Sequence, residues 1–166
     1  MAKKENALYR ILIGIAAMLI TLSVATTGTV KPREGWVVID THQSFSSLVE
    51  RLEAAVKVEK MGLVTSASAS EGAKAAGITI PGNRVIGVFR NDFARRILSA
   101  SVSAGVEAPV RFYVTENPDG TATLSYKKPA IVFAPYLDEG KDALKAIAHE
   151  IDDIFARIAD LATKEK

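Results

Sequence analysis

The stretch Pro109-Val-Arg-Phe-Tyr-Val-Thr-Glu116, Asn117-Pro118-Asp119-Gly120, Thr121-Ala-Thr-Leu-Ser-Tyr-Lys127 decides the fold class. Its two outer runs are rich in β-branched and aromatic residues, which fit a pleated, half-buried surface. Between them Pro118 pre-sets φ and Gly120 takes the positive φ that closes a tight turn. The stretch reads as two strands joined in a hairpin.

Toward the C-terminus, Leu144, Ile147, Ile151, Ile154, Phe155, Ile158 and Leu161 form one continuous apolar stripe at helical spacing. Toward the N-terminus, Trp36–Ile39 reads as a first strand. Ser44 then caps a helix whose apolar face is Phe45, Leu48, Val49, Leu52 and Val56, and Gly62 ends it. Leu63–Ala69 reads as a second strand, its small side chains implying a close neighbour above it. Ser70 opens a short helical turn that stops at Gly77. Arg84–Phe89 is the third strand, with Val85, Ile86, Val88 and Phe89 read as buried. Asn91 or Asp92 caps a helix with apolar positions Phe93, Ile97, Leu98 and Val102. The order β-α-β-α-β-α-β-β-α predicts an α+β fold, a mixed β-sheet covered by helices.

From about Gly62 to Ala130 an ordered set of features stands out: the Gly77-Ile78 break, an apolar strand ending in Phe89, and Asn91 at the strand-to-helix junction. They continue with Ala104-Gly105-Val106 and Pro109, the Asp119-Gly120 hairpin, and Ser125-Tyr126 followed by Pro129. In this order they resemble the family catalogued as domain of unknown function 302. The resemblance implies a compact α/β domain able to form a homodimer, and no agreed reaction. The chain departs from the family pattern in two places. Arg90-Asn91-Asp92 and Arg95-Arg96 stand where the family has Gly-Asn-Pro and Gly-Thr, and Ser68-Ala69 stand where many relatives carry an Asp-His pair.

The 166 residues are 48% hydrophobic, contain no cysteine and have a mean hydropathy of +0.15. That excess is local: residues 11–30 carry no charge. Lys3, Lys4 and Arg10 against Glu5 supply the net +2, so the remainder is balanced and lacks the basic face of a nucleic-acid binder. Residues 1–30 are read as a transmembrane anchor or a signal segment, 31–35 as a linker and 36–166 as the globular domain. A span needs about 20 apolar residues, which Ile11–Val30 supplies. A signal peptide needs a basic start, an apolar run and small residues such as Ser23-Val24-Ala25. The anchor is favoured. Basic residues before the span put the N-terminus in the cytoplasm and the domain in the periplasm of a bacterial inner membrane. Gly14, Ala17, Thr21 and Ala25 share one helix face, a small-residue surface for packing against a partner helix.

Candidate chemistry is sparse. His149 and Asp153 are spaced i, i+4 on the last helix but read as a solvated face, and His42 reads as a turn residue between strand and helix. No nucleophile motif, phosphate loop, metal site or cofactor motif is present. Arg90, Asn91, Asp92, Arg95 and Arg96 sit where a strand ends and a helix begins, a place that favours anions, and they are the expected anion or partner site. The expectation is a membrane-anchored extracytoplasmic domain that binds and does not catalyse, an accessory subunit of a larger respiratory or photosynthetic membrane complex. The alternative is a cleaved periplasmic domain that binds a small ligand or anion.

Overall fold

In the computed structural model, residues 30–164 are described. In chain order they form β1 (Trp36–Ser44), α1 (Phe45–Val58), β2 (Gly62–Ala67), α2 (Ala69–Ala75), β3 (Asn83–Phe89), α3 (Asn91–Ala100), a 3-10 turn (Ser103–Glu107), β4 (Val110–Glu116), β5 (Thr121–Lys127), α4 (Pro129–Phe133), a second 3-10 turn (Ala134–Tyr136) and α5 (Leu137–Thr163). The fold is α+β, in the expected element order with the short α4 added. Segment 1–29, and with it Gly14, Ala17, Thr21 and Ala25, lies outside the described residues. Among those that are described, no helix is long and apolar enough to cross a membrane.

The hairpin closes as its sequence predicts. Asn117 N donates to Thr121 O at 2.8 Å, Gly120 N donates to Asn117 O at 3.0 Å, and Gly120 has φ +82°.

The five strands lie in the order β1-β5-β4-β3-β2, and every neighbouring pair is antiparallel. The expectation of a mixed sheet is therefore corrected. A helix joins parallel strands only when the connection carries the chain once along the sheet. Here α2 and its loop leave β2 beside the Ala67–Val85 pair and return there. Likewise α3 and its 3-10 turn leave β3 and re-enter at the Val88–Val110 pair. Both excursions go out and back, so direction alternates. Only α1 carries the chain along the sheet, and it joins β1 to β2, the two edges that never touch.

Helices α1 and α5 bury one face of the sheet. Ser44 caps α1 by accepting from Ser47 N at 3.3 Å, and Leu48, Val49, Leu52 and Val56 are buried as predicted. Each fully buried aliphatic side chain of this kind contributes about 1.5–3 kcal/mol. The α5 stripe is buried from Leu144 to Ile158, but Leu161 is 42% exposed and Ala162 is buried in its place. The buried row follows i, i+4 steps through Ile154, Ile158 and Ala162, which turns Leu161 off the core. At the other end the helix breaks at Lys141, where φ is +45°. Gly140 precedes the break with Leu144 packed where a side chain would stand. Phe112 stacks on Phe155 at 4.2 Å between ring centres, and Tyr126 meets both rings edge-on.

Several local expectations are corrected. The first strand runs on to Ser44 with an irregularity between Thr41 and Ser44, so His42 is an exposed strand residue and not a turn residue. β2 is an exposed edge strand; its small residues lie under no covering layer. α2 begins at Ala69 behind Ser68, whose hydroxyl accepts from Glu71 N, two residues earlier than predicted. Leu98 and Val102 are exposed, Val102 because α3 has ended at Ala100. In β3, Ile86 and Val88 are buried against the helices, whereas Val85 and Phe89 are only half-buried. Strand alternation sends Val85 to the opposite face.

Candidate functional site

The ladder registers define that opposite face residue by residue, because partners in an antiparallel pair share a side of the sheet. Trp36 pairs with Lys127, and Arg111 with Gly87, which in turn pairs with Thr65. This is the first row across the strands. The second is Val38–Ser125–Tyr113–Val85–Ala67, and the third is Asp40–Thr123–Thr115–Asn83. One end of the face is cationic and aromatic, the middle is apolar apart from Ser125 and the Tyr113 hydroxyl, and the far end carries hydroxyl, amide and carboxylate groups.

A groove of about 710 Å³ opens on this face, walled by Trp36, Val85, Arg111, Tyr113 and Lys127 among others. It lies within the size range of pockets that hold small molecules. Ser68 and Ala69, where the chain departs from its resemblance, also line it. The far row is pinned by Thr123, whose hydroxyl donates to Asp40 at 2.7 Å. Thr115, 5% exposed, keeps a buried hydroxyl with no hydrogen-bond partner among the described residues. At the near end Arg33 and Lys127 both lie against the Trp36 ring, 4.9 and 5.7 Å from its centre.

The predicted anion or partner site has a different character. Arg90 stands at the N-cap of α3 without a side-chain cap bond, reaches Asp92 at 2.7 and 3.1 Å, and covers the Phe93 ring at 4.2 Å. Hydrogen bonds from Arg90 hold the Asp92 carboxyl below its usual range. Arg96 grips Glu150 of α5 through two bonds, at 2.7 and 2.6 Å, which lower the Glu150 pKa and raise that of Arg96. Asn91 and Arg95 are exposed. The structure brings these residues together, and two of the three guanidiniums already hold carboxylates of this chain.

On the last helix His149 and Asp153 are exposed, a solvated face as read, whereas Asp152 serves its packing. Asp152 accepts from Ala130 N at 3.1 Å, tying α5 to the start of α4, and burial raises its pKa. His149 lies 3.7 Å from Asp152, and no cluster of three metal-ligating side chains exists among the described residues.

Sequence reading missed the groove. The signal was present in the alternation of Arg111, Tyr113 and Thr115 along β4 and of Thr123, Ser125 and Lys127 along β5. Which face stays uncovered depends on where the helices pack, and that is not a local property of either strand.

The crystal structure of an uncharacterised conserved DUF302 protein from Bacillus stearothermophilus is similar, with a TM-score of 0.68 and 23% identity, covering 78% of this chain and 99% of that one. At that identity the likeness speaks to the fold. No curated protein matches the sequence. The family model for the domain of unknown function DUF302 matches residues 37–162, which takes in the sheet but for Trp36 and nearly all of α5. The chain belongs to the DUF302 family.

Proposed function

We propose that this chain is a binding domain whose recognition surface is the open face of its sheet. The observation that carries this reading is the groove itself. Apolar side chains and a few convergent polar groups line about 710 Å³ on the face opposite α1 and α5, with Ala69 of α2 and Val132 of α4 at its margins. The charge-free run 11–30 supports the rest of the proposal: an anchor that holds the domain on the periplasmic side of a bacterial inner membrane. There the face of Gly14, Ala17, Thr21 and Ala25 docks on a helix of a larger membrane complex.

Trp36 is the only tryptophan in the chain and stands at the groove wall, so its emission reports on the groove alone. The full chain in mild non-ionic detergent is titrated with dansylamide, a neutral aromatic fluorophore. Saturable energy transfer from Trp36, lost in Ala67→Phe, is the expected result. Transfer that does not saturate, or that Ala67→Phe leaves unchanged, overturns the groove. For the anchor, the intact mass of protein purified from host membranes is expected to equal that of the whole chain. Loss of about 25 residues, the length of a signal peptide, would favour the cleaved periplasmic alternative. Migration as a lone monomer on native gels would overturn the complex-subunit reading.

A further inference from the structure

Arg111 and Lys127 distinguish this groove from a merely apolar one. Phe112 pairs with Tyr126, and the same register one step outward sets Arg111 across from Lys127 on the open face. Both side chains wall the groove. Like charges placed opposite one another on adjacent strands repel and destabilise the pairing. Neither head group makes a hydrogen bond or ion pair with any described residue; Lys127 meets only the Trp36 ring, which Arg33 also covers. Two cations thus converge on one indole, and Arg111 stands across from one of them. The carboxylate on the lining, Glu107, accepts from the Tyr136 hydroxyl at 2.8 Å. Two of the three arginines at α3 differ, since Arg90 and Arg96 each hold an acid of their own.

The neighbouring row sets the rest of the ligand. Val85, Ala67 and the Tyr113 ring follow directly behind Arg111, and Gly87 between them adds no side chain. We infer that the groove takes an organic anion with an apolar or aromatic body. Its carboxylate or phosphate meets Arg111 and Lys127, and its body lies along Tyr113 and Val85 toward Ala67. This inference rests on the groove being the recognition surface. A charged donor facing an anion across a partly desolvated wall makes a stronger bond than a neutral one.

The test compares dansylglycine with dansylamide, which share a ring system and differ in the carboxylate. Energy transfer from Trp36 is followed in the full chain in non-ionic detergent. Dansylglycine is expected to bind about tenfold more tightly, the scale of one charge-assisted hydrogen bond. The preference is expected to shrink with added salt. Arg111→Gln with Lys127→Gln is expected to abolish the preference, so that the variant binds the two probes alike, with the far-ultraviolet circular dichroism spectrum unchanged. Equal saturable binding of both probes to the unsubstituted chain overturns the anion inference and leaves the groove standing. So does a preference that survives the double substitution. Absence of saturable transfer from either probe overturns both.

Discussion

Phe112 and Phe155 lie nearly parallel, 14° between ring planes and 4.2 Å between centres, and this stack joins strand β4 to helix α5. Both side chains are fully buried, with Tyr126 set edge-on against each. Since α5 reaches the sheet through this contact and the aliphatic row around it, the long helix and the sheet are expected to unfold together. Phe155→Ala removes one ring and leaves a cavity that two fixed rings cannot fill. It is expected to cost about 3–5 kcal/mol, read as a lowered urea midpoint. A fall below 1 kcal/mol would mean that α5 is held elsewhere.

The Arg96–Glu150 pair also joins α3 to α5, but on the surface, with side chains 44% and 49% exposed. Its two bonds are short, yet solvent screens the charges and the long side chains lose freedom. Arg96→Gln and Glu150→Gln, alone and together, are expected to give a coupling below about 1 kcal/mol. The hydrogen bonds from Arg96 place the folded pKa of Glu150 below its unfolded value. That small contribution is therefore present above the unfolded pKa and lost as pH falls through the folded one. A double-mutant cycle run at neutral and acidic pH checks both statements.

The hairpin and the helical stripes were legible because each is a local signal. Asn117-Pro118-Asp119-Gly120 carries its turn chemistry in four adjacent residues, and Leu48 through Val56 carry their periodicity within one helix. Sheet direction was not legible. It depends on whether α2 and α3 carry the chain along the sheet or send it back, and that is settled by what the helices pack against. The same holds for Val85 and Tyr113. An apolar residue in a strand reads as core, and only the placement of α1 and α5 on one side leaves these two beside a groove. Arg90 and Arg96 read correctly as a cluster, but Glu150 lies 54 positions beyond Arg96 and no spacing rule links them.

Gly87 marks a close approach of β3 to β2 and to Pro109, the residue just before β4. A Cβ there would lie 2.1 Å from the Thr65 hydroxyl and 2.8 Å from the Pro109 ring. Thr65 can rotate away, but the Pro109 ring is fixed to its backbone. Gly87→Ala is expected to destabilise by about 1–3 kcal/mol through overpacking. Adding Thr65→Ala is expected to recover only part of the loss, because the contact with Pro109 remains. Full recovery would place the strain on Thr65 alone. Urea denaturation of the single and double variants makes the comparison.

Tyr126 gives the fold an alkaline limit. Its side chain is 5% exposed, and burial, with the Asp152 charge adding, pushes the phenol up to about 12. Between the unfolded pKa near 10 and that folded value, the native state keeps a proton that the unfolded chain releases. Stability then falls as pH rises, by about 1.4 kcal/mol per unit at most. Below pH 10 both states are protonated and the group contributes no slope. Tyr126→Phe keeps the ring against Phe112 and Phe155 and removes the titrating hydroxyl. Urea midpoints measured from pH 9 to 11.5 are expected to fall more steeply for the unsubstituted chain than for the variant, the two curves separating only above pH 10. Parallel curves across the whole range would show that the phenol ionises without hindrance, and that this side of the core admits water.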